Sequence, residues 1–205
     1  MDMRISKGEI FERVFINEEV NLQIDQEAGS HVKIHVINAS FSITVNQLGE
    51  GCITEIYGLE NLHGDESVTA ETHVTHAVGG GTSNQLVKFV LADRARGSFI
   101  GDLKIAPDAQ KTEAHQTNRN LLLSEDAEMR TRPQLEIYAD DVKATHGAST
   151  GQLDESALFY MQQRGIDKQK ARQLLVNAFM KEVVETISDE KIKSDVLSLF
   201  EEEAF

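Results

Sequence analysis

Residues 67–78 read SVTAETHVTHAV. Val68, Ala70, Val74 and Val78 fall on every second position, with Thr69, Glu71, His73 and Thr75 between them. Side chains two apart share one face of an extended chain, so this is a strand with one apolar face. The same period of two, rich in β-branched residues, returns in HVKIHV (31–36), FSITV (41–45), CITEIY (52–57), QLVKFVL (85–91), SFIGDLKI (98–105) and QLEIY (134–138). Gly29, Gly49, Gly58, Gly64, Gly79 to Gly81 and Gly97 punctuate these runs, so the chain from about Ile10 to His146 is built of many short strands. No Asn-Gly or Asp-Gly dipeptide joins them and no helical pattern separates them, which argues against a meander and against a doubly wound sheet. A sandwich, a barrel and a parallel β-helix remain, and a recurrence at roughly twenty to twenty-five residues per coil suits a solenoid.

After Gly151 the periodicity changes to that of helices. Asp154 is placed to cap ESALFYMQQR, with Gly165 in the position that favours a left-handed residue. Asp167 caps a second helix, on which Ala171, Leu174, Leu175, Ala178, Phe179, Val183 and Ile187 form the expected apolar stripe. Ser188 is read as the start of a third, carrying Ile192, Val196, Leu199 and Phe200. The expected division is 1–150 for the coils and 151–205 for a small helical domain.

The 205 residues carry 34 acidic and 20 basic side chains, a formal charge of −14. That excess repels phosphate backbones and anionic bilayers, so no nucleic-acid or membrane partner is expected. The first twenty residues alternate charged and apolar positions and hold no signal-peptide core, and no stretch approaches the length of a membrane helix. One cysteine, Cys52, can form no intramolecular disulfide, and a cytoplasmic location is the expectation.

Isolated chemistry is sparse. His31 and His35 share a strand face while His73 and His76 oppose one another, and neither pair has a spacing that specifies a metal. Asp140 and Asp141 are adjacent and read as a solvated turn rather than an acid/base pair. Gly79 to Gly81 and GASTG (147–151) lack the lysine of a phosphate loop, and no Gly-x-Ser-x-Gly occurs. One thiol cannot supply an all-cysteine cluster site, so any iron–sulfur role must borrow ligands.

Several long blocks in order, QTNRNLLLS (116–124), PQLEIYADDVK (133–143), HGASTG (146–151), LFYMQQRGI (158–166) and AFMKEV (178–183), closely resemble the C-terminal part of the SufB/SufD family. GDES (64–67) and RGSFIGDLKI (96–105) resemble its coils. His146 followed by Gly147 follows the SufD branch, since the SufB branch carries a glutamate there.

The resemblance implies a mainly β protein, a right-handed parallel β-helix followed by a small C-terminal α-helical domain. It implies a non-catalytic scaffold of the SUF machinery for iron–sulfur cluster assembly, paired with SufB or a second copy of itself. A SufC-type ATPase would dock on the C-terminal helices, for which Leu158, Phe159, Arg164, Leu174, Leu175 and Phe179 are the candidates. His146 matches a histidine proposed to hold iron or a nascent cluster where two scaffolds meet; Ala144 stands where many members of that branch have a cysteine. No cofactor is expected on this chain alone, only a transient iron or cluster in the complex. Family members are longer, with a helical region ahead of the coils. The bland reading of His146 is a structural residue at a strand-to-turn junction. A carbohydrate-active β-helix enzyme is the rival from another class, disfavoured by scattered carboxylates and the absence of tryptophan.

Overall fold

The computed structural model of the chain describes residues 1–202. Twelve strands precede three helices: β1 (Asp2–Ile5), β2 (Ile10–Ile16), β3 (Val20–Gln26), β4 (His31–Ile37), β5 (Phe41–Gln47), β6 (Ile53–Leu62), β7 (Ser67–His76), β8 (Thr82–Leu91), β9 (Arg96–Ile105), β10 (Glu113–Leu122), β11 (Glu128–Ile137), β12 (Lys143–Gly151), α1 (Glu155–Gln163), α2 (Lys168–Val184) and α3 (Glu190–Glu202). The odd strands form one sheet and the even strands another, each in chain order. Neighbours within both sheets run parallel. One odd and one even strand therefore make one coil, and the chain is a parallel β-helix of two facing sheets followed by helices.

Coil length matches the expected twenty to twenty-five residues in the first coils and exceeds it in the later ones. Asp25 meets Asn46 one coil on, 21 residues later, whereas Gln110 meets Asp141 31 residues later. The strands lengthen from seven residues in β5 to ten in β7, which blurs a fixed repeat. Two columns of left-handed residues turn the corners: Gly8, Gly29, Gly51, Gly80 and Lys111 at one, Asn17, Asn38, Gly64 and Asp93 at the other. Glycine and asparagine tolerate positive φ, and no hairpin dipeptide is needed because consecutive strands lie in different sheets.

The inward rows of both sheets, among them Ile24, Ile43, Ile34, Val87, Phe89 and Phe99, form the main core. A second core lies on the outer face of the even sheet, where Tyr57, Leu59, Leu86 and Val90 meet α2 and α3. β6 and β8 are consequently buried on both faces, so their alternation is partly erased in sequence. The buried residues of α2 are Ala171, Val176, Met180, Val183 and Val184. This corrects the expected stripe: Leu174 and Ala178 face solvent, because the helix turns Val176 and Met180 toward the sheet. Asp154 and Asp167 cap their helices as expected, and Gly165 has φ +85. The third helix is capped by Asp189, whose carboxylate accepts from the Lys191 and Ile192 amides, not by Ser188. Residues 203–205 of the expected helical segment lie outside the described residues.

Candidate functional site at the open end of the solenoid

The last coil is uncapped. β11 and β12 are the terminal strands of their sheets, so each presents a row of backbone groups free to pair with another strand. The two edges differ. β11 (EMRTRPQLEI) interrupts its edge with Pro133, which has no N–H, and carries Arg130, Arg132 and Glu136. β12 (KATHGASTG) has no proline and only one permanently charged residue, Lys143 at its start. Proline and charge protect an edge; small neutral residues leave it open to pairing.

His146 lies within β12, in register with Gln116 of β10. Ala144 packs against the main core, and His146, two residues on, belongs to the same inward row. This corrects the reading of a strand-to-turn junction: His146 and the GASTG segment are strand throughout. With no further coil stacked above it, the residue is exposed. Beneath it, Gln116 and Gln85 follow in register. Beside them Asn118 and Asn120 bond to one another, at 3.0 and 2.7 Å. Asn118 also donates to the Val87 carbonyl and Asn120 to the Ser149 carbonyl. The two asparagines are thus a pair on one strand.

Other candidate ligands are placed elsewhere. Cys52 is buried, its sulfur 3.2 Å from the carbonyls of Glu27 and Gly49. His31 meets Glu55 at 2.7 Å on the outer even face, and His73 meets Asp102 at 2.9 Å on the outer odd face. His76 turns inward to Ser83 at 2.8 Å, so His73 and His76 do oppose one another. Asp141 closes a turn by pairing with Lys111. Among the described residues no three His, Cys, Asp or Glu side chains converge as a metal site. Strand β12 thus carries one exposed imidazole, while the single thiol is buried far from it.

The helices are locked to the even sheet by polar contacts that apolar patterning does not reveal. The Lys88 side chain is 2% exposed and half-exposed Glu182 meets it at 2.5 Å. Its ammonium also donates to the Phe179 carbonyl at 2.7 Å and lies 4.4 Å from the Phe179 ring centre. Burial pulls the Lys88 pKa below the usual lysine range, while the Lys88 hydrogen bond holds Glu182 below the carboxylate range. Arg119 of β10 also bonds Glu182, at 2.9 Å. Next to this, Thr186 donates its only hydroxyl proton to the Val183 carbonyl at 2.6 Å, so its oxygen accepts from His35 Nε2–H at 2.8 Å. His35 stacks on Tyr57 with ring centres 4.8 Å apart, and burial lowers its pKa to about 4.

Of the residues expected to face a partner, Leu158 is buried and supports α1. Phe179 is half-buried beneath Lys88, and Leu175 is half-buried. Phe159 at 62% and Leu174 at 40% are exposed. Arg164 ends α1 with its guanidinium over the Tyr160 ring, bonded to the Tyr160 hydroxyl. Phe159, Tyr160 and Leu174 are thus the large apolar side chains the first two helices expose. No helix among the described residues is long and apolar enough to cross a membrane.

The family model for the SUF system FeS cluster assembly SufBD core domain matches residues 18–179, most of the coils together with α1 and the first two thirds of α2. The chain belongs to the SufBD family. It is 37% identical to the Iron-sulfur cluster assembly protein SufD of Escherichia coli over 90% of this chain and 44% of that one. It is 36% identical to the SufBD family protein slr0076 of Synechocystis, over 80% and 35%, and 33% identical to SufD of Bacillus subtilis, over 77% and 36%. The chain spans less than half the length of these relatives. The likeness is of SufD type, in keeping with the residues around His146.

Proposed function

We propose that this SufBD chain is a non-catalytic scaffold whose open end joins a second scaffold, with an iron–sulfur cluster as cargo at the junction. The observation that carries the reading is the last coil: an exposed imidazole in the inward row of an unprotected edge strand. His146 supplies one nitrogen ligand of borderline softness, suited to iron. Thiolates come from the partner, because this chain has none exposed. That partner is a SufB-type chain; a second copy of this one could pair by the same edge but would bring only another His146, its single thiol being equally buried. β12 favours either by the same means: its uncharged middle allows antiparallel pairing without like-charge contact.

A SufC-type ATPase docks on α1 and α2 through Phe159, Tyr160 and Leu174. Nucleotide binding shifts the scaffold only to the extent that ATPase contacts differ between two states. Lys88, Glu182 and Arg119 transmit that difference, because they tie α2 to β8 and β10, the strands beneath His146. A reducing, cytoplasmic setting fits the buried single thiol. Substituting Ala148→Pro tests the pairing. Light scattering of the parent, alone and mixed with a SufB-type chain, is expected to give the mass of a pair, and the folded variant that of a single chain. A variant that still pairs would overturn the assignment of β12.

A further inference from the structure

The inward row of the even sheet that ends at His146 changes character along its length. It runs Ile34, Ile56, Gln85, Gln116, His146, each in register with the next. Two glutamines therefore replace aliphatic side chains just where the row approaches the open end, and both are essentially fully buried. A buried amide is tolerated when its polar atoms are bonded. Gln116 Nε2 donates to Gln85 Oε1 at 3.3 Å, which fixes the amino end of the Gln116 amide downward along the row. Its carbonyl oxygen, also buried, has no donor among the described residues. The amide already fills the space that Gly101 leaves in the opposite sheet, where a Cβ would lie 2.6 Å from Gln116 Nε2, so a larger residue there could not share the site. The next side chain up the row is an imidazole, one inter-strand spacing away, about 4.8 Å.

We propose that Gln116 is a positioning residue for His146: its orphaned carbonyl accepts the N–H of the imidazole above it and so fixes the ring's tautomer and orientation. Gln85 serves as the anchor that holds the Gln116 amide the right way round. An imidazole that donates from one nitrogen presents a lone pair on the other, the form that binds a metal ion. The ring is thereby aimed out of the solenoid before any partner arrives, which reduces the ordering cost of assembling a shared site. The inference deepens the assignment of His146 given above and rests on it for its functional meaning, though not for its geometry.

The test uses the full chain, uniformly labelled with nitrogen-15, in the oligomeric state it adopts in solution. Long-range proton–nitrogen correlations of the histidine rings report each tautomer at a pH where the rings are neutral. The parent is expected to show one dominant tautomer at His146. Gln116→Met, which keeps the shape and removes the acceptor, is expected to yield a mixture; Gln85→Met, which releases the amide, is expected to do the same and provides the readout if the first variant does not fold. Cobalt(II), titrated as a probe into the paired assembly, is expected to bind about tenfold more weakly to either variant, the lower end of losses seen when a ligand's outer partner is removed. Folded variants with the parent's tautomer populations would overturn the proposal. Should His146→Ala leave cluster loading intact, the reading of His146 as a ligand fails, while the tautomer result still decides the role of Gln116.

Discussion

Lys88→Met tests how the helices are held to the solenoid. The substitution keeps most of the buried volume but removes the ammonium that contacts Glu182 at 2.5 Å, the Phe179 carbonyl at 2.7 Å and the Phe179 ring at 4.4 Å. Hydrogen bonds to a charged group contribute about 1.5–3 kcal/mol each and a cation over an aromatic face about 0.5–2 kcal/mol. Against this stands the cost of burying the ammonium, visible in the lowered pKa of Lys88, and the half-exposed, solvent-screened position of Glu182. The net expected loss is about 2 kcal/mol, local to the docking of α2. Such a change raises the undocked population about 30-fold, so hydrogen exchange in 168–184 should accelerate by that factor while β5 and β7, in the other sheet, keep the parent's rates. A double-mutant cycle with Glu182→Gln should return a coupling of about 1–2 kcal/mol. Unchanged exchange in α2, or a coupling indistinguishable from zero, would refute the claim that this ion pair fastens the helix.

Two further outcomes concern buried groups that titrate. His35 and His76 have folded pKa values lowered by burial to about 4, so their contribution is complete above the unfolded value near 6.5 and is lost as pH falls toward 4; urea unfolding at pH 5 should show each costing about 2 kcal/mol relative to pH 7.5. A flat profile across that interval would contradict their burial as neutral rings. Glu60 is fully buried, accepts the Ala39 amide at 2.8 Å and has its pKa raised well above the carboxylate range by desolvation. Its stabilising effect is present below about 4.5 and fades as pH rises through the folded value. Glu60→Gln should therefore remove that slope and raise the melting temperature at pH 8, and a lower melting temperature there would show that the carboxyl is ionised in the fold.

Legibility in sequence followed burial on one face. β4, β5, β7 and β9 alternate cleanly and declare themselves, as do the caps Asp154 and Asp167. β10 and β12 did not, for a physical reason: their inward rows hold Gln116, Asn118, Asn120, His146 and Thr150 instead of aliphatic residues, so the polarity signal of a buried face is missing. The left-handed corner columns were visible only as scattered glycines until stacking aligned them with Asn17, Asn38, Asp93 and Lys111. His146 itself came from likeness to a family, since a lone histidine specifies nothing. Lys88 on its own reads as a solvent-facing lysine of QLVKFVL; the sign that β8 is covered on both faces is Leu86 and Val90, which flank it on the outer face. Gln116 was inside a block recognised as a whole and gained meaning only from the register that sets it below the imidazole.

The most direct test of a scaffold that borrows ligands is anaerobic loading with ferrous iron and sulfide, read by absorption and Mössbauer spectroscopy. The parent chain together with a SufB-type scaffold is predicted to hold a cluster, and the same mixture with His146→Ala, still paired by light scattering, is predicted to lose most of it. A paired His146→Ala assembly that retains the parent's full cluster signal would contradict the account.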